Sequence, residues 1–247
     1  GQKIFRKAYL MADMTVDHEG MQICTKPLVS FAGKLYTAPM SAVDCAVKTI
    51  GTCPRHNEAF ITSGMVQYNA CVGNFGGSGM AYSGSMNVLK NVLGNEYLWN
   101  NVRVKGGAYG CMCGFAPSGN GYFTSYRDPN LAKTYDIYAN AADYVRSLEL
   151  DDRELTKYII GAVGAIDLPM TASMKGNRSL AAFLGERSFE QIQKNRDELL
   201  TTTVDDLRGL SKAVASVIEA GHICVVGSES KITEEKDRFE YVAQLTQ

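Results

Sequence analysis

The sequence LWNNVRVKGGAYGC at residues 98–111 joins a helix to a strand, and the rest of the fold is arranged around it. Apolar residues recur at helical spacing on its N-terminal side, at Val88, Leu89, Val92, Leu93 and Leu98. This spacing predicts a helix that leads into the stretch. A run typical of a β-strand follows, and the glycine pair at 106–107 marks the break between the two elements. The sequence therefore predicts a tight turn between a helix and a strand.

Arg103 and Tyr109 flank this glycine turn. A planar guanidinium and a phenol held about one turn apart suit the binding of a carbonyl oxygen or an oxyanion. The same residues also fit a plainer interpretation, in which Arg103 is a surface charge and Tyr109 is a half-buried strand aromatic. From these residues alone, both interpretations stay open.

The N-terminal part of the chain predicts two strands and a helix. Residues 8–16 alternate between apolar and polar side chains, which indicates a half-buried strand. Asp17 can cap a helix from residue 18 to about residue 35, and Pro27 should kink or divide that helix. Residues 58–72 predict one long strand. Its alternation sets Val66, Tyr68, Ala70 and Val72 on the face opposite Gln67, Asn69 and Cys71.

The C-terminal part predicts a hairpin followed by helices. The two hairpin strands are expected at residues 108–116 and 121–127, and Asp128 followed by Pro129 is typical of a helix N-cap. Asp151 with Glu154 matches a capping box at the start of another helix. Periodicity predicts helices at residues 131–148, 151–169, 179–185, 188–200 and 204–218, then a closing strand at 222–226 and a charged surface helix after residue 229.

These elements predict an α+β fold: a two-layer arrangement with a mostly antiparallel sheet and helices on one face. Nothing in the pattern divides the chain, so we expect a single domain over residues 1–247. The chain begins with Gly1 and Gln2 rather than with Met, and we therefore expect a piece of a longer protein.

The composition narrows the classes of partner. The chain has 247 residues, of which 45% are hydrophobic and 21% are charged, with a net charge of -1. A charge so close to neutral favours neither nucleic acid nor an anionic membrane as a partner, and no apolar run reaches the roughly 18 residues that a membrane span needs. Seven cysteines, an odd number in apolar surroundings, favour reduced thiols over a disulfide framework. We expect a cytoplasmic location, with the mitochondrial matrix as the alternative.

Metal and nucleophile motifs are weak in this chain. Cys111 and Cys113 would share one face of a strand, but no second Cys or His pair with zinc spacing follows them. His18, His56 and His222 are the three histidines, and none forms the H-x-x-E-H pattern of a helical zinc site. A cysteine hydrolase that uses Cys111 or Cys113 would need a basic histidine nearby, and the sequence offers no geometry for one.

Four motifs in order carry a family resemblance: MVQYNA at residues 65–70, LWNNVRVKGGAYG at 98–110, SYRDPN at 125–130 and MKGNRSL at 174–180. Together they resemble the C-terminal half of the presequence proteases, which belong to the pitrilysin and insulin-degrading-enzyme superfamily of zinc peptidases. The resemblance covers most of the chain from about Asn57 onward.

The resemblance implies a clam-shell enzyme of two halves, each made of two domains, with this chain as the last of the four. It places the zinc on H-x-x-E-H in the N-terminal half, so zinc belongs to the parent protein and this chain alone is expected to be inactive. The implied partners are that catalytic half and unstructured peptide substrates.

In relatives, an arginine and a tyrosine reach across the chamber to the peptide, and Arg103 and Tyr109 stand in those positions. Arg103 is then expected to hold substrate backbone carbonyls, and Tyr109 to donate to the oxyanion or to a neighbouring carbonyl. The alternative is a non-catalytic partner or scaffold module of the same superfamily.

Overall fold

The computed structural model describes residues 5–37 and 57–245. The chain divides into two compact units, one made of Gly1–Cys53 with Leu168–Phe189 and the other of Pro54–Asp167 with Glu190–Gln247. We call them the small unit and the large unit. The expectation that residues 1–247 form one domain stays a prediction.

The small unit contains helix α1 (His18–Gly33) and helix α6 (Ala172–Leu184). Asp17 caps α1 as predicted, because its carboxylate accepts a hydrogen bond from the Gly20 amide at 2.7 Å. Pro27 lies inside this helix without dividing it. The strand predicted at residues 8–16 is wrong: a 3₁₀ turn occupies Lys7–Tyr9 and no regular structure follows before α1. No described residue of this unit is buried, so the alternating side chains have no core to face.

The large unit is built on a six-stranded sheet with the order β3-β4-β2-β5-β1-β6. Strands β3, β4, β2 and β5 pair antiparallel in that order, whereas β1 pairs parallel with both β5 and β6. The prediction of a mostly antiparallel sheet in an α+β fold is therefore confirmed. The strands are β1 (Glu58–Thr62), β2 (Gln67–Asn74), β3 (Gly110–Phe115), β4 (Asn120–Asp128), β5 (His222–Ser228) and β6 (Tyr241–Gln244).

Two strand predictions need correction. The long strand expected at 58–72 is two strands, because β5 inserts between β1 and β2 and pairs with both of them. A pattern confined to residues 58–72 cannot show that the distant strand at residues 222–228 separates its halves. The short strand β6 lies in the charged tail, where only a surface helix was expected; that helix is present as α10 (Glu229–Glu234).

Helices cover one face of the sheet. Along β2, Gln67, Asn69, Cys71 and Gly73 are buried while Tyr68 and Val72 are exposed, so only one face lies against the core. The helices predicted at residues 131–148 and 204–218 are each two shorter helices in the structure. The capping box of Asp151 and Glu154 is confirmed. The helices of this unit are α2 (Ser85–Val92), α3 (Ala132–Ala139), α4 (Ala141–Arg146), α5 (Asp152–Ile166), α7 (Phe189–Leu200), α8 (Val204–Gly209), α9 (Ser211–Glu219) and α10.

Helix α9 approaches the sheet closely because two paired glycines face it. Gly73 on β2 and Gly121 on β4 are directly opposite in the register, and Val217 of α9 lies over both. A Cβ atom on Gly73 would overlap the main chain of Val217, and one on Gly121 would lie 2.5 Å from its side chain. The absence of a side chain at these positions therefore sets the distance between the two layers.

We expect Gly73→Ala to destabilise the chain by about 1–3 kcal/mol, because the added methyl must push α9 away from the sheet. Gly164→Ala in α5 is the matched control, since its Cβ would meet nothing within 4 Å and alanine favours a helix by about 0.5–1 kcal/mol. Urea unfolding of both variants measures the difference. Equal stabilities would show that the α9–sheet contact tolerates a side chain.

Candidate functional site

The helix that leads into the glycine turn changes its hydrogen-bond pattern before it ends. Helix α2 continues as a π-helix over Leu93–Val104, and the Lys105 amide still donates to the carbonyl of Asn100, five residues earlier. The Asn100 side-chain amide also donates to the carbonyl of Glu96 at 2.6 Å. That carbonyl would accept the Asn100 main-chain N–H in an α-helix, so the side chain favours the wider pattern. The sequence predicted a helix here but not its widening.

Arg103 lies between two aromatic rings. Its guanidinium carbon is 4.4 Å from the centre of the Trp99 ring and 5.4 Å from the centre of the Tyr109 ring. Both distances allow cation–π attraction, which holds a flexible arginine in one place at modest cost. The structure thus brings Arg103 and Tyr109 together as the sequence predicted. It adds Trp99, whose only sequence signal is its position four residues before Arg103 on the same helix.

The glycine turn closes the π-helix and places Tyr109. The amide of Gly107 donates to the carbonyl of Arg103 at 2.8 Å, and the amide of Ala108 donates to the carbonyl of Val102 at 3.1 Å. Gly107 has φ of 83°, a left-handed conformation that glycine adopts without strain. The chain therefore reverses within two residues after the helix, and Tyr109 emerges beside Arg103.

An open cavity of about 490 Å³ lies beside this turn. Tyr109 is 65% exposed, and its hydroxyl forms no hydrogen bond within the described part of the chain. Arg103 likewise forms no ion pair with any described carboxylate. Both donors are therefore available to a ligand in the cavity. Its lining residues are Val66, Arg103, Val104, Gly107, Ala108, Tyr109 and Arg127.

A β-bulge in β4 forms another wall of the cavity. The register of β2 against β4 shifts between the pairs Gln67–Asp128 and Asn69–Ser125, which leaves one extra residue in β4. Arg127 lies in this bulge with φ of 49°, in the left-handed region. The alternation of β4 breaks there, so that Tyr126 and Arg127 are both exposed. The amide of Tyr109 donates to the carbonyls of both residues, at 3.1 and 3.3 Å.

A buried polar network supports the bulge from below. The carboxylate of Asp128 is fully buried and accepts hydrogen bonds from the Thr134 hydroxyl at 2.7 Å and from the Asn130 amide at 2.9 Å. The Asn69 side-chain amide donates to the same carboxylate at 3.3 Å. The predicted N-cap role of Asp128 is wrong, because α3 begins only at Ala132. This carboxylate instead joins β2, the end of β4 and α3.

The network also reaches the glycine turn. The side-chain amide of Asn130 donates to the carbonyl of Gly106 at 2.6 Å, and Asn69 donates to the carbonyl of Asn130 at 3.0 Å. The hydrogen bond from Asn130 therefore holds the main chain at Gly106. One connected set of buried and partly buried groups therefore positions the turn that carries Tyr109 and the bulge that carries Arg127.

The histidines and cysteines do not assemble a metal site in the described residues. Within residues 5–37 and 57–245, no group of three or more His, Cys, Asp or Glu side chains is arranged to hold a metal ion. His18 is exposed at the start of α1 and His222 lies at the start of β5; His56, Cys45 and Cys53 lie outside the described residues. The residues that the structure describes therefore do not fit a zinc ion.

The thiols of the sheet are protonated and poorly suited to nucleophilic attack. Burial raises the pKa of Cys111 to about 11, of Cys113 to about 12 and of Cys71 to about 11. A thiol attacks as the thiolate, and such raised values leave almost none of it near neutral pH. These pKa values argue against the cysteine-hydrolase interpretation. The described cysteines, Cys24, Cys71, Cys111, Cys113 and Cys224, are all free.

Similarity of fold first defines the class of protein. A solved structure described as the peptidase M16 inactive domain from Pseudomonas fluorescens matches this chain with a TM-score of 0.52 at 13% sequence identity. The match covers 84% of this chain and 50% of that one. The chain therefore has the fold of an M16 peptidase domain. No helix among the described residues has the length and apolar character to cross a bilayer.

Similarity of sequence then gives the family. A family model described as the PreP C-terminal domain matches residues 57–231, and this chain belongs to that family. Presequence protease 1, chloroplastic/mitochondrial, of Arabidopsis thaliana is 35% identical over 223 residues, which are 90% of this chain and 20% of that protein. Protein HypA of Clostridium perfringens is 40% identical over 191 residues, which are 77% of this chain and 20% of that protein.

These findings confirm the predicted resemblance. The chain spans about a fifth of the length of these two relatives.

The raised thiol pKa values predict a loss of stability in alkali. Burial raises the pKa of Cys71 from 9.0 to about 11, so between these values the folded chain keeps a proton that the unfolded chain has lost. The free energy of unfolding must then fall as pH rises through this range. We expect urea unfolding at about pH 8 and about pH 10.5 to show this fall, and Cys71→Ala to make it smaller. A stability that does not change with pH would contradict the burial of these thiols.

Proposed function

We propose that this chain is the C-terminal substrate-binding domain of a zinc-dependent endopeptidase that degrades unstructured peptides. The observation that carries the proposal is the arrangement of two donors at one open cavity. Arg103 is held between two rings, and Tyr109 presents a hydroxyl that has no partner in the described chain. Membership of the PreP C-terminal domain family supports the same role.

In peptide hydrolysis, these two donors would stabilise the negative charge that develops on the substrate. Attack on a peptide bond converts a planar carbonyl into a tetrahedral centre whose oxygen carries negative charge. Donors that are already in place stabilise this charge without reorganising at the moment of reaction. In the proposed role, the Tyr109 hydroxyl donates to that oxygen or to a neighbouring carbonyl. Arg103 offers a planar set of N–H groups that holds substrate carbonyls and orients the peptide.

The zinc, in this proposal, belongs to the N-terminal catalytic half of the same polypeptide, and the chain alone is inactive. Its described residues do not fit a metal, and the part of this chain that matches these two relatives is only 20% of each relative's length. One relative's name places it in chloroplasts and mitochondria. A mitochondrial matrix location for the parent therefore stands beside the cytoplasmic location expected from the sequence.

The alternative is a non-catalytic partner or scaffold module. A scaffold would not require an arginine that contacts two aromatic rings, nor a tyrosine without a hydrogen-bond partner at the lining of an open cavity. The arrangement at the cavity therefore favours the substrate-binding role.

The test is peptide hydrolysis by the full-length parent protein. Tyr109→Phe removes one donor and keeps the ring that packs against Tyr126 at 5.8 Å, so stability should stay within about 0.5–1 kcal/mol. Turnover should fall by about 10²-fold or more if the hydroxyl meets the oxyanion. Arg103→Lys keeps the charge but loses the planar fork, and it should also impair turnover.

Tyr122→Phe is the control, because it makes the same chemical change on an exposed tyrosine of β4 outside the cavity lining. Turnover and thermal unfolding are measured on all three variants. Near-normal turnover for both site variants would reduce Arg103 and Tyr109 to structural residues and favour the scaffold role.

A further inference from the structure

We propose that Arg127 and Arg103 together form a carboxylate-binding site in the cavity beside Tyr109. The ligand would be a carboxylate of an unstructured peptide, either its C-terminal group or an acidic side chain. The inference rests on the proposed function for the nature of the ligand. Its site is defined by the chain's own geometry.

The charges of the cavity point to an anion. Its described lining contains two guanidinium groups and one phenol, and no acidic side chain. Neither Arg103 nor Arg127 forms an ion pair with a described carboxylate. The nearby carboxylate of Asp128 is fully buried on the other face of the sheet, where it accepts hydrogen bonds from Thr134, Asn130 and Asn69. Two unpaired guanidinium groups at one cavity suit a planar carboxylate, which can accept two parallel hydrogen bonds from an arginine.

The backbone at Arg127 supports a role for its side chain. Its φ of 49° lies in a region that residues with a Cβ atom rarely adopt and that glycine adopts freely. Such strained positions persist where the surrounding structure fixes them, and they concentrate at ligand sites. Here the bulge places Tyr126 and Arg127 in succession on the exposed face, which brings a cation to the cavity that regular alternation would have turned inward.

The chain contains one tryptophan, and it reports on this site directly. Trp99 packs on the guanidinium of Arg103 at 4.4 Å, so a ligand that binds Arg103 should change its fluorescence. The experiment titrates this chain with three versions of one unstructured peptide. The first has a free C-terminal carboxylate, the second is amidated and lacks acidic residues, and the third is amidated with one internal glutamate. Calorimetry on the same three peptides gives affinities that do not depend on the fluorescence signal.

We expect the wild-type chain to bind one of the two carboxylate peptides about tenfold more tightly than the peptide that lacks a carboxylate. The preferred peptide identifies the source of the carboxylate. Arg127→Gly removes the guanidinium and relaxes the left-handed backbone, so the fold should be kept and the preference should fall to about twofold or less. Arg127→Lys should keep part of the preference, because the charge remains and the fork is lost.

Lys105→Gln is the matched control, since it removes an exposed cation in the same turn that does not line the cavity. It should leave the preference unchanged. The proposal is overturned if wild-type chain binds all three peptides alike or binds none, or if Arg127→Gly keeps the full preference. The proposed function has its own readout, turnover of the parent with Tyr109→Phe, so either result can fail while the other stands.

Discussion

The buried carboxylate of Asp128 is the constraint on which the rest of the site depends. It is fully buried and accepts hydrogen bonds from Asn69 on β2, from the main chain of Asn130 and from Thr134 on α3. An isolated charge would be costly in such a place, and only a set of donors makes it tolerable. Because those donors come from three separate segments, the carboxylate fixes their relative positions. The bulge in β4 and the glycine turn before β3 are then held by the same group of atoms.

The candidate site combines polar side chains that reach the cavity with a packed core that supports them. Arg103, Tyr109 and Arg127 reach the cavity from a π-helix, a turn and a bulge, each of which departs from regular geometry. These departures expose the functional groups, and the ordered core beneath them limits their movement. Donors held in this way can stabilise developing charge without first reorganising, which is the property that peptide hydrolysis requires. All the described residues that line this cavity belong to the large unit, which also holds the buried core.

The sequence predicted the elements whose formation depends on residues close to one another in the chain. The glycine turn, the hairpin, the capping box at Asp151 and the closing strand were readable, and so was the proximity of Arg103 to Tyr109. Three other features could not be predicted from the sequence. On β2 the polar face of Gln67 and Asn69 is buried, because its partners come from distant segments such as the Ser228 amide. Asp128 before Pro129 has the residue types of an N-cap, yet its carboxylate is used by the network. The left-handed backbone of Arg127 has no sequence signal, since the residue is not glycine.

The most direct test of this account replaces Asp128 by asparagine and follows amide hydrogen exchange residue by residue. An amide group places a donor where the carboxylate oxygen accepted from Thr134 and Asn69, and we expect a loss of about 1–3 kcal/mol in the free energy of unfolding. Protection of the Tyr109 amide, which bonds to Tyr126 and Arg127, should fall more than that of Ala116 at the far end of the hairpin. Asp152→Asn, an exposed carboxylate on α5, should change neither. Unchanged protection at Tyr109 in the Asp128→Asn chain would contradict the claim that this buried carboxylate holds the site together.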